Sequence, residues 1–287
     1  MFGRRPDGRR LDNIDPIIQF TPYIMKTRND ASNLISEYVD YEPMADYIRK
    51  RSKEGTKISF MALIMAAYVR AVAEYPAMNR FIMNGQVFAR NEIVTSLTVL
   101  RNSGDKSNTD EALIKIKFKP DSTIDEVAKE IDLKLQDAVK ADGDNGTADF
   151  AKKLIRFRIL VKLVVALARL LDRYGLLPKA LYDISPFHCS MFLTNMASIG
   201  LPGLYHHLYN FGNTTMFIAM GKVEKQTFPT RDGFSSKAVL PLSVVVDERI
   251  CGGAVYAQGF AYFKKMIEHP ELLEQRPERI NIETPYK

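Results

Sequence analysis

Apolar positions along this chain recur with two different periods, and the points where one gives way to the other divide it into elements. From Ser59 to Tyr75 the period is helical. Met61, Ile64, Met65, Tyr68, Val69 and Val72 share one side, Ser59 stands where an N-cap belongs, and Tyr75-Pro76 stops the run. A shorter helix is predicted from Met44 to Ser52, with Pro43 at its start. Residues 17–26 read as an extended segment leading into the fold. Asn84-Gly85 separates Met78–Ile82 from Gln86–Ala89 and predicts a hairpin with a type I′ turn. Glu92–Leu100 and Ala112–Phe118 are β-rich runs on either side of a polar loop, Asn102–Asp110. Ser122-Thr123 opens a helix with acids in its first turn, running to about Ala141. Asp142-Gly143-Asp144-Asn145-Gly146 is the strongest break in the chain. Beyond it, strands are predicted around Ser190–Thr194 and Thr214–Met220. A hairpin across Asp232-Gly233 joins Lys225–Thr230 to Lys237–Val246. Strands interleaved with helices predict an α/β fold.

Phe150 to Tyr174 follows another rule. It is long, apolar and basic at once. At about 100° per residue, Arg158, Lys162, Arg169 and Arg173 fall on one narrow stripe, with Arg156 outside it and apolar residues over most of the rest. Interspersed cations argue against a spanning helix, which needs about 20 apolar residues with few charges. Two readings stand. The plainer is a helix packed deeply against its own domain or a neighbouring subunit. The sharper is a helix lying in a membrane interface, its basic stripe toward anionic lipid. Gly175 and Pro178 end it.

Composition changes this picture little. The 46% hydrophobic and 26% charged fractions are those of an ordinary soluble globular protein. Cys189 and Cys251 give no disulfide framework and no metal-ligand spacing, which points to a reducing, cytoplasmic setting and to no metal site. Arg4, Arg5, Arg9 and Arg10 make residues 1–16 a basic arm, expected to be solvated. No apolar stretch follows them, so no secretory signal is expected. A net charge of +6 suits an anionic ligand or an acidic surface but does not argue for nucleic acid.

The most informative stretch runs from Val244 to Gly253. A β-branched run leads into Asp247-Glu248-Arg249, then Ile250-Cys251, the pair Gly252-Gly253, and a helix from Ala254 to Lys265. His269-Pro270-Glu271-Leu272-Leu273 closes it. This resembles the C-terminal signature of the catalytic domain of dihydrolipoyl acyltransferases of the 2-oxo acid dehydrogenase complexes, whose fold chloramphenicol acetyltransferases share. The family pattern is Asp-His-Arg, two spacers, Asp-Gly, a helix and an Asn-Pro-x-Leu-Leu stop. Glu248 stands at the family's His and Gly252 at its Asp. The helix ending in Tyr75-Pro76-Ala77-Met78-Asn79 is similar to the family's hairpin entry. Ser190 to Gly200 resembles its Thr-Ile-Ser-Asn-Leu-Gly strand, and Met216 to Glu224 its Ala-Ile-Leu-Gly-Val-Gly strand, with Gly221 a bulge or close-approach position. The likeness spans roughly residues 17–275.

The resemblance implies a chloramphenicol acetyltransferase-like two-layer sandwich, a mixed sheet packed by helices. It implies a homotrimer with active sites between subunits, and an acyl-CoA as substrate with a small acceptor. Residues 276–287 would be a tail. No lipoyl-bearing domain or Ala-Pro linker is seen upstream, so a free-standing acyltransferase is expected. Glu248 would be the base and Thr194 the donor to the oxyanion, with Asn195, Arg249 and Gly253 at the substrate. A solvated Glu, pKa ~4.3, is poorly matched to a thiol at ~8.5, though burial beside Val246 and Ile250 would raise it. With Gly252, the ion pair that the family's Asp makes to hold this loop is gone. His206 and His207 form the second constellation, and Glu248 would orient one of them if an imidazole were the base. The alternative from another class is a silenced acyltransferase fold that binds a ligand, a membrane surface or a partner protein, using residues 150–174.

Overall fold

The structure is a computed structural model that describes residues 5–101, 110–140 and 156–283. In chain order its strands and α-helices are β1 (Gly8–Arg10), α1 (Pro16–Ile24), β2 (Ser32–Asp40), α2 (Tyr41–Lys53), α3 (Phe60–Glu74), β3 (Arg80–Met83), β4 (Gln86–Arg90), β5 (Ile93–Arg101), β6 (Asp110–Phe118), α4 (Ile124–Lys140), α5 (Arg158–Arg173), α6 (Lys179–Ile184), β7 (Met191–Asn195), β8 (Met216–Met220), β9 (Glu224–Thr230), β10 (Gly233–Asp247) and α7 (Gly253–Glu268). The main sheet has the order β2-β10-β8-β7-β5-β6, with β9 on the first half of β10. β7 pairs parallel with β5 and β8, and the other pairings are antiparallel. The sheet is therefore mixed and the class α/β, as expected. A small second sheet, β1-β4-β3, flanks it.

Strand alternation sets the two layers. Met191 and Leu193, Met216 and Ile218, Val244 and Val246 face one side, where α3, α4 and α7 complete the large core. α3 is buried from Ala62 to Ala73, because small and apolar residues surround it on all sides. Its N-cap is Ser59, which accepts from the amide of Ala62 at 3.1 Å. α4 opens on a capping box. The hydroxyl of Thr123 accepts from the Glu126 amide at 3.4 Å, and the Glu126 carboxylate accepts from the Thr123 amide at 3.0 Å. Phe192, Phe217 and Val245 face the other side, where the segment 187–209 covers them with a smaller cluster.

The type I′ turn is present: Asn84 and Gly85 both have positive φ, 52° and 71°. The close approach at Gly221 is present too, since a Cβ there would lie 2.2 Å from the Gly203 amide nitrogen. Several expectations are corrected. Residues 17–26 are not extended, because Asp15 caps Ile17 at 2.8 Å and Pro16 starts helix α1. β1 and β2 lie in segments for which no strand is predicted. The basic arm is not simply solvated: Arg5 is buried and bonded to Asp7 and Asp172, and Gly8–Arg10 adds a strand to β4. The C-terminal segment is fastened as well, by Arg276 to Asp121 and Glu126 and by Arg279 to Glu74. α5 does not pack deeply into its own domain. Of its residues only Asp172 is buried, and most of its large apolar side chains are exposed, with Val161 and Leu171 half-buried. The loop 102–109, the break at 142–146 and positions 150–155 lie outside the described residues.

Candidate active site

The loop after β10 is held from every side. Asp247 is fully buried. It accepts from the Arg249 guanidinium at 2.8 and 2.6 Å, a two-point ion pair between neighbours in the sequence. The third guanidinium nitrogen of Arg249 donates to the Met25 carbonyl at 3.1 Å. The Tyr256 hydroxyl donates to the Asp247 carbonyl at 2.9 Å, and Arg80 donates to the Ile250 carbonyl at 3.0 Å. The Asp247 and Glu248 amides bond to the carbonyls of Thr215 and Ala31. The loop therefore rests on the Asp247–Arg249 pair and its neighbours. Arg249 is buried and occupied in this way by the loop.

Glu248 alone turns outward from this frame. It is partly exposed, and its Oε2 accepts from the Asn33 amide group at 2.7 Å. It is not enclosed with Val246 and Ile250, which lie in the core. Gly253 is exposed at the start of α7, whose N-cap is Gly252.

Thr194, the penultimate residue of β7, lines a cavity of about 410 Å³ together with Thr98, Phe192, Asn195, His206 and Phe217. The contact between Gly221 and Gly203 brings the following loop down onto the sheet. His206 then stacks on Phe217, with ring centres 4.1 Å apart and planes within 9°. Its Nδ1 donates to the His207 carbonyl at 2.9 Å, which leaves Nε2 as the accepting nitrogen of a neutral ring. Burial pushes its pKa down, helped by the neighbouring His207, and outweighs the opposing hydrogen bond to the His207 backbone. His207 stacks on His206 but is exposed and does not line the cavity. Asn195 spends its side-chain oxygen on the Ser198 amide at 3.3 Å, capping a short turn.

Thr194 and Glu248 lie toward opposite ends of the sheet. Thr194 pairs with Ala219 and Ala219 with Ser243, so Thr194 stands level with Ser243. Glu248 lies five residues further along, roughly 16 Å in the strand direction. Within one chain they do not meet. Within one chain Glu248 orients neither His206, which bonds the His207 carbonyl, nor another described histidine; its Oε2 is bonded to Asn33.

No protein-family model matches the chain, and no curated protein matches it either. Solved structures do. A probable dihydrolipoamide acetyltransferase from Listeria monocytogenes matches with a TM-score of 0.56 at 15% identity, over 90% of this chain and 93% of its own. The dihydrolipoamide acetyltransferase of Azotobacter vinelandii matches with a TM-score of 0.57 at 12% identity, over 92% and 94%. A chloramphenicol acetyltransferase matches with a TM-score of 0.53 at 17% identity, over 91% and 98%. The chain has the dihydrolipoamide acetyltransferase fold. On that fold Thr194 lies near the end of a central strand and Glu248 follows the longest one among the described residues.

One constellation on the acetyltransferase fold was not foreseen. His188 accepts from or donates to Ser185 at 2.7 Å through Nδ1 and bonds Asp172 at 3.2 Å through Nε2. Arg5 and Tyr182 also bond Asp172, at 2.8 and 3.1 Å. Burial alone would raise the Asp172 pKa, but the bond to His188 and the charge of Arg5 outweigh it and hold it at about 2. The only sequence sign was one acid, Asp172, at the end of a helix otherwise apolar and basic. The group fastens the foot of α5 to the N-terminal segment. It is closed in on itself and reads as structural.

Proposed function

We propose that this protein transfers an acyl group from a CoA-type thioester to a small acceptor, at a site completed between copies of the chain. The observation that carries the proposal is the placement of Thr194 and Glu248 on an acyltransferase fold. Thr194 stands next to the end of β7 and Glu248 just past the end of β10, and they lie too far apart to act within one chain. A homotrimer, as the family resemblance implies, would set Thr194 of one copy against Glu248 of the next.

In this reading the acceptor attacks the thioester carbonyl while a base removes its proton. The Thr194 hydroxyl donates to the oxyanion that forms, a contribution of about 3 kcal/mol when preorganised. The intermediate then collapses, the carbon–sulfur bond breaks, and the proton passes to the departing CoA thiolate. The cavity beside Thr194 has apolar walls with a few hydroxyls, which suits a slim thioester arm. In the Azotobacter enzyme a serine, a histidine and an asparagine were investigated for their catalytic role. By the resemblance of the signature, Thr194 stands at the family's hydroxyl position and Glu248 at its histidine. Glu248 is the base we assign, and His206 the group that assists, since its ring is neutral with Nε2 free to accept. A silenced site is the second reading, favoured by the Asn33 contact, which occupies the Glu248 carboxylate.

The test is CoA release over a panel of acyl-CoAs with thiol, hydroxyl and amine acceptors. Glu248→Gln is expected to lower release about a hundredfold, the scale of a lost general base. Loss in His206→Ala with Glu248→Gln unaffected would move the base to the imidazole. No release from a folded, oligomeric protein with any donor would sink the catalytic reading in favour of the silent one.

A further inference from the structure

Helix α5 presents its side chains in a definite order around its axis. Asp172 points into the body, held by Arg5, Tyr182 and His188. At about 100° per residue Leu163 lies diametrically opposite, and Ile159, Leu167 and Leu170 are beside it. These are exposed: Ile159 is 77% and Leu163 62% accessible. The apolar face therefore points away from the protein. Arg158, Lys162, Arg169 and Arg173 form a stripe along the flank, between the face turned inward and the apolar face. The helix carries one acid, Asp172, and that charge is neutralised inside. Its outer surface is thus apolar and purely cationic. No helix among the described residues is long and apolar enough to cross a membrane.

A second observation lies at the foot of this helix. A cavity of about 550 Å³ opens between α1, the Asn84-Gly85 turn and α5. Arg28, Arg249 and Asp172 line its depths, and Lys26, Arg169 and Arg173 its mouth, so cations outnumber the one acid, which is itself paired with Arg5. Arg249 is neutralised by Asp247. Arg28 has no such pair: it is 5% exposed, no carboxylate of the described residues lies at ion-pair distance, Asp247 and Asp172 act on it only from further off, and its guanidinium donates to the carbonyls of Tyr209 and Ile82, with Nε unpartnered. Burying a cation without a counter-ion is costly, and an anion entering the cavity would offset that cost.

We propose that α5 docks the protein on an anionic membrane surface, its apolar face among the acyl chains, with the cavity at its foot receiving the phosphate of a phospholipid head group. Cations on the flank of an outward apolar face sit at the depth where head-group phosphates lie. A phosphate also matches the chemistry of Lys26, Arg28, Arg169 and Arg173, and an acidic protein partner would use the stripe but leave the apolar crest unexplained.

The experiment is co-sedimentation of the full chain with vesicles of phosphatidylglycerol and phosphatidylcholine, against phosphatidylcholine alone. Binding is expected only with the anionic vesicles, weakening as salt is raised. Leu163→Glu with Leu167→Glu should lower it at least about tenfold. Arg169→Gln with Arg173→Gln should lower it about fivefold for each charge removed. All four positions are exposed, so folding should survive, which circular dichroism checks. Failure to sediment with anionic vesicles overturns the proposal. So does sedimentation that persists in the double Glu variant. Stabilisation by inorganic phosphate without vesicle binding would assign the cavity to a soluble anion instead. A smaller oligomer in the double Glu variant would assign the helix to contact between copies.

Discussion

The loop that carries Glu248 and the helix α5 draw on the same residue types, arginines among branched aliphatics, and arrange them in opposite ways. In the loop, Arg249 closes on Asp247, Val246 and Ile250 turn into the core, and the backbone finds partners in Thr215, Ala31, Tyr256 and Arg80. One side chain, Glu248, is left facing out. In α5 the arginines face out with the aliphatics, and side-chain partners within the chain gather at its foot, where Asp172 meets Arg5 and His188 and Arg173 donates to Asn84 at 2.7 Å. The loop is complete in itself and offers a single group to whatever binds. The helix is incomplete in itself and offers an entire surface. The first arrangement suits a site that must hold one carboxylate in place. The second suits attachment to something large.

The contrast breaks most readily at Asp247. Removing its carboxylate leaves the Arg249 guanidinium buried at 3% exposure with one carbonyl for a partner. Asp247→Ala is expected to lower stability by about 3–5 kcal/mol, the cost of leaving half of a buried ion pair. Urea unfolding monitored by circular dichroism measures it. Glu248→Gln, a neighbour in sequence, should leave stability nearly unchanged, since its one contact lies at the surface. Equal losses for the two would mean that Glu248 belongs to the frame and is not the group it presents.

A smaller effect is expected at the foot of the helix. Asp172→Asn removes a charge from Arg5, which keeps Asp7 as a partner at 2.9 Å, so a loss of about 2 kcal/mol is expected. The pH dependence has a definite sign. The Asp172 pKa is about 2 when folded, below the ordinary carboxylate value near 4, so its stabilisation is present at neutral pH. It is lost as pH falls from about 4 to about 2. Stability measured across that window should fall less steeply in Asp172→Asn than in the wild type. Parallel curves would show that Asp172 is not the group that titrates there.

These two regions also differ in how much of them could be read from sequence. The signature from Asp247 to Gly253 is local, and local chemistry can be recognised in order along a chain. The helices at 60–74 and 124–140 and the Asn84-Gly85 turn were legible for the same reason: cap, period and turn residue lie within a few positions of each other. What sequence left out was set by distant partners. Residues 16–24 became a helix through the Asp15 cap, although Ile17-Ile18 looks extended. β2 is defined by its register on β10, over two hundred residues away. His188 meets Asp172 because α5 turns back on itself through Gly175. The exposure of α5 was invisible because periodicity shows that a helix has an apolar face, not which way that face points.

The smallest effect sharpens the comparison most. Gly252 is the N-cap of α7, with φ −69° and ψ 156°, a conformation open to any residue. A Cβ added there would meet nothing within 4 Å, and the helix has neither a side-chain cap nor an acid in its first turn. Nothing in the backbone demands glycine. Gly252→Asp should supply both missing features, a carboxylate accepting from the first-turn amides and a negative charge at the positive helix end. A gain of about 0.5–1 kcal/mol is expected, read as a raised urea midpoint with unchanged slope. A gain would show that the loop stands complete on Asp247 and Arg249, and that the glycine there does not serve stability. A loss would show that the carboxylate meets opposition at the mouth of the Glu248 site. In that case the glycine keeps the approach to Glu248 clear of a second negative charge.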